Sequence, residues 1–216
     1  MRWSLVHPPL LGPAVLAPLA DVLRSRGHEV LLPDLRSAVQ AAAGWPQRWT
    51  ALAAAAGPAD VVLGFSGAGP VLPLVAEAVG AARVVFLDAG VPAVAGETLP
   101  PQEVRTAVAG LRRGDRIAAW PTWWEPAQLA AELPDEELRA AVSAEAPELP
   151  GDFFDTGVPV PARWPDDVTY VQLSDSYGDD AEQARARGWD VRGRGTGSHL
   201  DVVTHPDRVA DLLGYR

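Results

Sequence analysis

Two stretches of the chain, Val61-Val62-Leu63-Gly64-Phe65 and Val84-Val85-Phe86-Leu87, carry no polar side chain at any position. A strand with one wet face alternates apolar and polar residues, whereas an unbroken apolar run of this length fits a strand covered on both faces, as in parallel sheets with helices packed above and below. Weaker runs of the same kind fall at 3–7, 29–32, 168–173 and 190–192. Stretches of helical length lie between and after them, at 15–26, 46–56, 68–79, 180–187 and 206–213. Strand alternating with helix predicts an α/β protein built on a doubly wound, mostly parallel sheet of about six strands. Residues 93–167 break the rhythm with tryptophan- and proline-rich sequence and read as a helical insertion lying over the sheet.

The chain has 216 residues, 48% of them hydrophobic, which predicts a single domain with a substantial core. A net charge of −10 argues against nucleic acid and anionic membrane as partners, since both demand clustered basic charge. All 18 basic residues are arginine, so lysine Schiff-base chemistry is excluded. The absence of cysteine excludes disulfides, thiolate metal sites and thiol nucleophiles. The apolar opening MRWSLVHPPLLGP fits a signal peptide poorly, and no apolar run approaches the roughly 18 residues of a membrane span. A cytoplasmic protein acting on a small molecule is expected, with no cofactor and no metal.

In open parallel sheets the ligand crevice lies at the carboxyl ends of the strands. Ser66 stands there, after a strand and before a helix, among Gly64, Gly67 and Gly69. That is the setting of a nucleophile elbow, where small neighbours let strand and helix close on a strained turn. The motif reads G-x-S-x-A, with Ala68 where a second glycine is usual, and competes with a glycine-rich turn that has no chemistry. A dinucleotide fingerprint fits less well, because Leu72 holds the place of its third glycine. His199, in GTGSHLDVV after the last strand, falls on the same edge as Ser66 and is the candidate general base. His28 precedes a strand, His205 abuts the proline opening the last helix, and His7 lies in the loop after the first strand.

These pieces together (VHPPLLGP, LRSRGHEVLLPDLR, GFSGAG, VVFLDAGVP and GSHLDVVTHPDRVADLL) resemble the α/β-hydrolase superfamily, in its small esterase-like group, over nearly the whole chain. The resemblance implies an α/β-hydrolase fold over residues 1–216 with a helical cap insertion at about 93–167, and a Ser66-His199-acid triad. It places the acid after the next-to-last strand, at Asp175, with Asp88 as the alternative because some members take it from the earlier strand. It also implies an oxyanion hole made of the Gly67 N–H and a donor from the first-strand loop. There Pro8 and Pro9 have no N–H, leaving Leu10 or Leu11. Trp120, Trp123 and Trp124 in the insertion are candidates for a bulky apolar pocket, or for the insertion's own core. Three functions follow: hydrolysis of an ester, thioester or lactone; a lyase or cyclase using the same triad for acid/base chemistry; and a non-catalytic binder.

Overall fold

The computed structural model describes residues 1–214. Six strands form one sheet: β1 (Arg2–Val6), β2 (Glu29–Leu31), β3 (Val61–Ser66), β4 (Arg83–Ala89), β5 (Asp167–Gln172) and β6 (Asp190–Gly193). Their order is β6-β5-β4-β3-β1-β2, and every pairing is parallel. The apolar runs that open the sequence are β3 and β4, side by side at the centre. Their period of two divides them between two cores. Val62, Val84 and Phe86 face one layer, formed with Trp45, Trp49, Val75 and Ala181. Leu63, Phe65, Val85 and Leu87 face the other, with Leu16, Leu19, Leu23, Val209 and Leu213.

The layers are supplied by α1 (Ala17–Ser25), α8 (Asp201–Thr204) and α9 (Pro206–Leu213) on the second face, and by α2 (Trp45–Ala55), α3 (Leu72–Val79) and α7 (Gly178–Ala186) on the first. Helix α3 begins later than the sequence predicts. The chain leaves Ser66 through a 3-10 turn, Gly69–Val71, opened by Pro70, and becomes α-helical only at Leu72. It stops at Gly80, whose left-handed φ of +70° closes the helix end at no steric cost.

Between β4 and β5 the chain forms α4 (Gln102–Ala109), α5 (Pro126–Glu132) and α6 (Glu136–Ala144). The insertion is not purely helical as expected. Arg112–Arg113, Arg116–Ile117 and Leu149–Pro150 form a small antiparallel ladder, and Glu97–Thr98 pairs with Val158–Pro159. The first of these is a hairpin turning on Gly114-Asp115, with Gly114 at φ +66°, and periodicity does not reveal a ladder two residues deep.

Candidate active site

Ser66 ends β3 with φ +57°, in the left-handed region that costs a non-glycine residue about 1–3 kcal/mol. Its neighbours explain the glycines. A Cβ on Gly64 would run into the Leu72 side chain, where α3 crosses the strand, and one on Gly69 would collide with the Gly90 carbonyl. Ala68 departs from the usual pattern without penalty. Its φ is −77°, which any residue adopts, and its methyl is buried in the core.

Among the described residues other than glycine, one further position has a positive φ: Asp88, at +43°. It sits in a bulge. Phe65 pairs with Leu87 and Ser66 with Ala89, so Asp88 is the extra residue on β4. Bulges re-aim side chains, and this one sends the fully buried Asp88 carboxylate towards the end of β5. There Oδ1 accepts from Leu173 N (2.8 Å) and Ser174 N (3.1 Å), and Oδ2 accepts from Ser174 Oγ (2.7 Å). Oδ2 also lies 2.8 Å from His199 Nδ1. A carboxylate at that nitrogen fixes the tautomer with Nδ1 protonated and Nε2 free to take a proton.

The structure therefore pairs His199 with Asp88, not with Asp175, the residue placed first from sequence. Asp175 opens the 3-10 turn Asp175–Tyr177 and is exposed. The chain end that would have carried it inward is occupied by Leu173 and Ser174, whose N–H groups grip Asp88 instead.

Ser66 Oγ lies 3.0 Å from Tyr177 Oη. The His199 ring stacks on Phe65 (centroids 4.5 Å, 24°) and on Tyr177 (4.9 Å, 17°). Serine and histidine thus share neighbours at one rim. The side-chain hydrogen bonds in the structure run from Ser66 to Tyr177 and from His199 to Asp88, with none between Ser66 and His199 among the described residues. Burial is the main influence on the Tyr177 phenol and lifts it to about 12. Sequence reading passed over Tyr177, although it lies in the same post-strand loop as Asp175. Attention to aromatics at strand ends, and not only in the insertion, would have found it.

The loop after β1 and the elbow differ in which backbone N–H groups are already used. The Leu11 N–H is used in a turn, donating to the Pro8 carbonyl at 3.1 Å. The N–H groups of Leu10 and Gly67 have no hydrogen-bond acceptor among the described residues. A Cβ on Gly67 would lie 3.5 Å from Pro9 Cδ, so the proline loop rests directly against the elbow. His7 shapes this loop from beneath. It is fully buried, its Nδ1 is 3.0 Å from the Pro8 carbonyl, and its Nε2 accepts from Leu35 N at 3.0 Å. Burial pushes its pKa down to about 4, so it is a neutral structural imidazole at pH 7.

The three tryptophans divide. Trp123 donates its indole N–H to the Ala118 carbonyl at 2.7 Å and packs, partly buried, against the core on the first face of the sheet. Trp120 and Trp124 form an edge-to-face pair, centroids 5.6 Å apart, with Trp124 exposed. Two carboxylates tie the insertion to the rim: Glu145 accepts from Ala14 N at 2.6 Å, and Glu132 accepts from Ser198 Oγ, beside His199, at 3.0 Å. A cavity of about 310 Å³ lies past the ends of β5 and β6, bordered by Gln172, Leu173, Arg194 and Arg208, and includes neither Ser66 nor His199 in its walls.

Neither a comparison with protein families nor a search of curated proteins matches the sequence. Solved structures do match over nearly the whole chain. An extracellular α/β-hydrolase from a Paenibacillus species is 19% identical, with 99% of this chain and 97% of that one covered at a TM-score of 0.72. Tomato methylketone synthase I, solved with 2-tridecanone, is 16% identical over 100% and 98% at 0.70. A pyrethroid hydrolase from Sphingobium faniae is 19% identical over 99% and 96% at 0.65. At these identities the likeness is one of fold, and the fold is that of the α/β-hydrolases.

Proposed function

We propose that this chain is a serine hydrolase that cleaves an ester, thioester or lactone of an uncharged, bulky apolar small molecule. The reading is carried by one observation: the strained Ser66 elbow shares Tyr177 as a neighbour with an imidazole that Asp88 holds at 2.8 Å. Ser66 attacks the carbonyl, and His199 Nε2 takes the serine proton and returns it to the leaving group. Asp88 orients His199 and stabilises the imidazolium. The amides of Leu10 and Gly67, left without acceptors by the fold, receive the oxyanion. Water then releases the acyl group.

The substrate class rests on chemistry at the rim. The insertion is rich in carboxylates and repels anions, while the Trp120–Trp124 pair offers an apolar wall. The apolar 2-tridecanone bound by tomato methylketone synthase I agrees with it. No helix among the described residues is long and apolar enough to cross a membrane, and we place the activity in the cytoplasm. The lyase or cyclase reading drew its support from an oxyanion hole depleted by Pro8 and Pro9. Two unoccupied amides weaken that motive.

A fluorophosphonate should label Ser66 covalently, and Ser66→Ala should abolish labelling and ester turnover together. A folded protein that resists the probe, or a Ser66→Ala variant that still turns over, sinks the proposal. Product analysis in heavy-oxygen water adds the label on hydrolysis and not on elimination or cyclisation.

A further inference from the structure

We infer that Tyr177 is a further catalytic residue: its phenol O–H donates a hydrogen bond to the oxygens that pass through the acyl-transfer steps at Ser66. The inference rests on Ser66 being the nucleophile and assigns a role to a group outside the triad and the oxyanion amides. Tyr177 ends the 3-10 turn Asp175–Tyr177 where it runs into α7, and its Oη lies 3.0 Å from Ser66 Oγ. Among the described residues Ser66 is the one hydrogen-bond partner of this phenol. Either hydroxyl can donate across this contact; we take the phenol, which has no other acceptor among the described residues, as the donor and Ser66 Oγ as the acceptor. That direction matters: it leaves the serine's own proton free for His199 Nε2, whose ring stacks on the same phenol at 4.9 Å. With its pKa lifted to about 12, Tyr177 remains protonated, and hence a donor, at neutral pH.

The steps then balance as follows. As the Ser66 Oγ–H bond breaks, its proton passes to His199 Nε2 and the Oγ–carbon bond forms. The carbonyl π pair moves onto the carbonyl oxygen, towards the amides of Leu10 and Gly67. Oγ has become an ether-like oxygen and a poorer acceptor. The phenol's hydrogen bond moves to the adjacent leaving-group oxygen, where charge grows as the carbon–oxygen bond stretches. The oxyanion pair re-forms the carbonyl as the carbon–oxygen bond breaks with its electrons going to the leaving oxygen, His199 delivers its proton to that oxygen, and the alcohol departs to leave the acyl group on Ser66. Tyr177 keeps its own proton throughout and acts by hydrogen bonding alone. This donor does not depend on the first-strand loop, where two consecutive prolines limit the N–H groups on offer.

The test compares wild type, Ser66→Ala, Tyr177→Phe and a variant with a more acidic fluorinated tyrosine at 177, using fluorophosphonate labelling and p-nitrophenyl ester kinetics. Tyr177→Phe keeps the ring stacked on His199 and should lower kcat on the order of 10²-fold, the low end for loss of an oxyanion-type donor, with KM little changed. The fluorinated variant retains activity at neutral pH and should gain an alkaline limb in kcat that wild type lacks, because its donor proton is lost within the assayable range. Turnover by Tyr177→Phe equal to or faster than wild type, or a fluorinated variant whose pH profile is unmoved, overturns the inference while leaving Ser66 as nucleophile. Wild type unlabelled at Ser66 overturns the nucleophile and this inference with it.

Discussion

Asp88 and Asp175 stand at the same rim of the sheet, each just past an apolar run of sequence, and the fold treats them in opposite ways. Asp88 is fully buried and receives Leu173 N, Ser174 N, Ser174 Oγ and His199 Nδ1. Asp175 is exposed on a 3-10 turn. The difference lies in the backbone. A one-residue slip between β3 and β4 leaves Asp88 as a left-handed bulge residue, and the bulge swings its carboxylate across to the end of β5. Residue type is the same for both and each follows an apolar run; the ladder register is what turns Asp88, within β4, to meet an imidazole while Asp175, three residues past β5, meets water.

Asp88→Asn breaks this comparison hardest. The amide can still occupy the site, but it can present an N–H to His199 Nδ1 and favour the wrong tautomer. Loss of the tautomer-fixing carboxylate in a serine triad costs about 10⁴-fold in kcat, and the same fall is expected here, read in ester turnover with folding checked by circular dichroism. A drop of less than tenfold would return the acid's role to another carboxylate.

His7 extends the contrast to a second buried rim residue held by backbone groups. Its pKa is near 4 in the folded chain, against about 6.5 for free histidine. Between those values the unfolded chain binds more protons, so stability is complete above pH 6.5 and falls as pH drops towards 4. The difference corresponds to about 3 kcal/mol at 1.36 kcal/mol per unit. Urea unfolding at pH 7 and pH 4.5 should show most of this loss in wild type and a flatter profile in His7→Gln. Equal slopes in the two proteins would remove His7 as the source.

The sheet was legible because burial on both faces writes itself directly into β3 and β4 as uninterrupted apolar sequence, and alternation with helices then dictates the winding. The placement of Ser66 and His199 at one rim was legible because glycine spacing and position after a strand are local. Asp88 ranked second because a bulge has no sequence signature: VVFLDAG reads the same with or without the slip. The Leu10 amide, left without an acceptor among the described residues, was reachable by elimination, since proline has no N–H. The division of Trp123 from Trp120 and Trp124 was not, because which face an indole presents depends on the ladder around Gly114 and on the Ala118 carbonyl that takes its proton.

The finest discrimination is between neighbours, Ser174 and Asp175. Ser174→Ala removes one of the donors that fix Asp88, the hydroxyl at 2.7 Å, and leaves the two backbone donors in place. A single hydrogen bond to a charged group contributes about 1.5–3 kcal/mol. Part of that is recouped here, because the Leu173 and Ser174 amides still aim the carboxylate, so a fall in kcat of roughly tenfold is expected, about 1.4 kcal/mol. Asp175→Asn alters an exposed side chain and should move stability by less than about 0.5 kcal/mol, with turnover near wild type. If Asp175→Asn were the more damaging of the pair, the carboxylate that meets His199 during turnover would have to come from the 3-10 turn after all, and the bulge at Asp88 would be a feature of the resting chain alone.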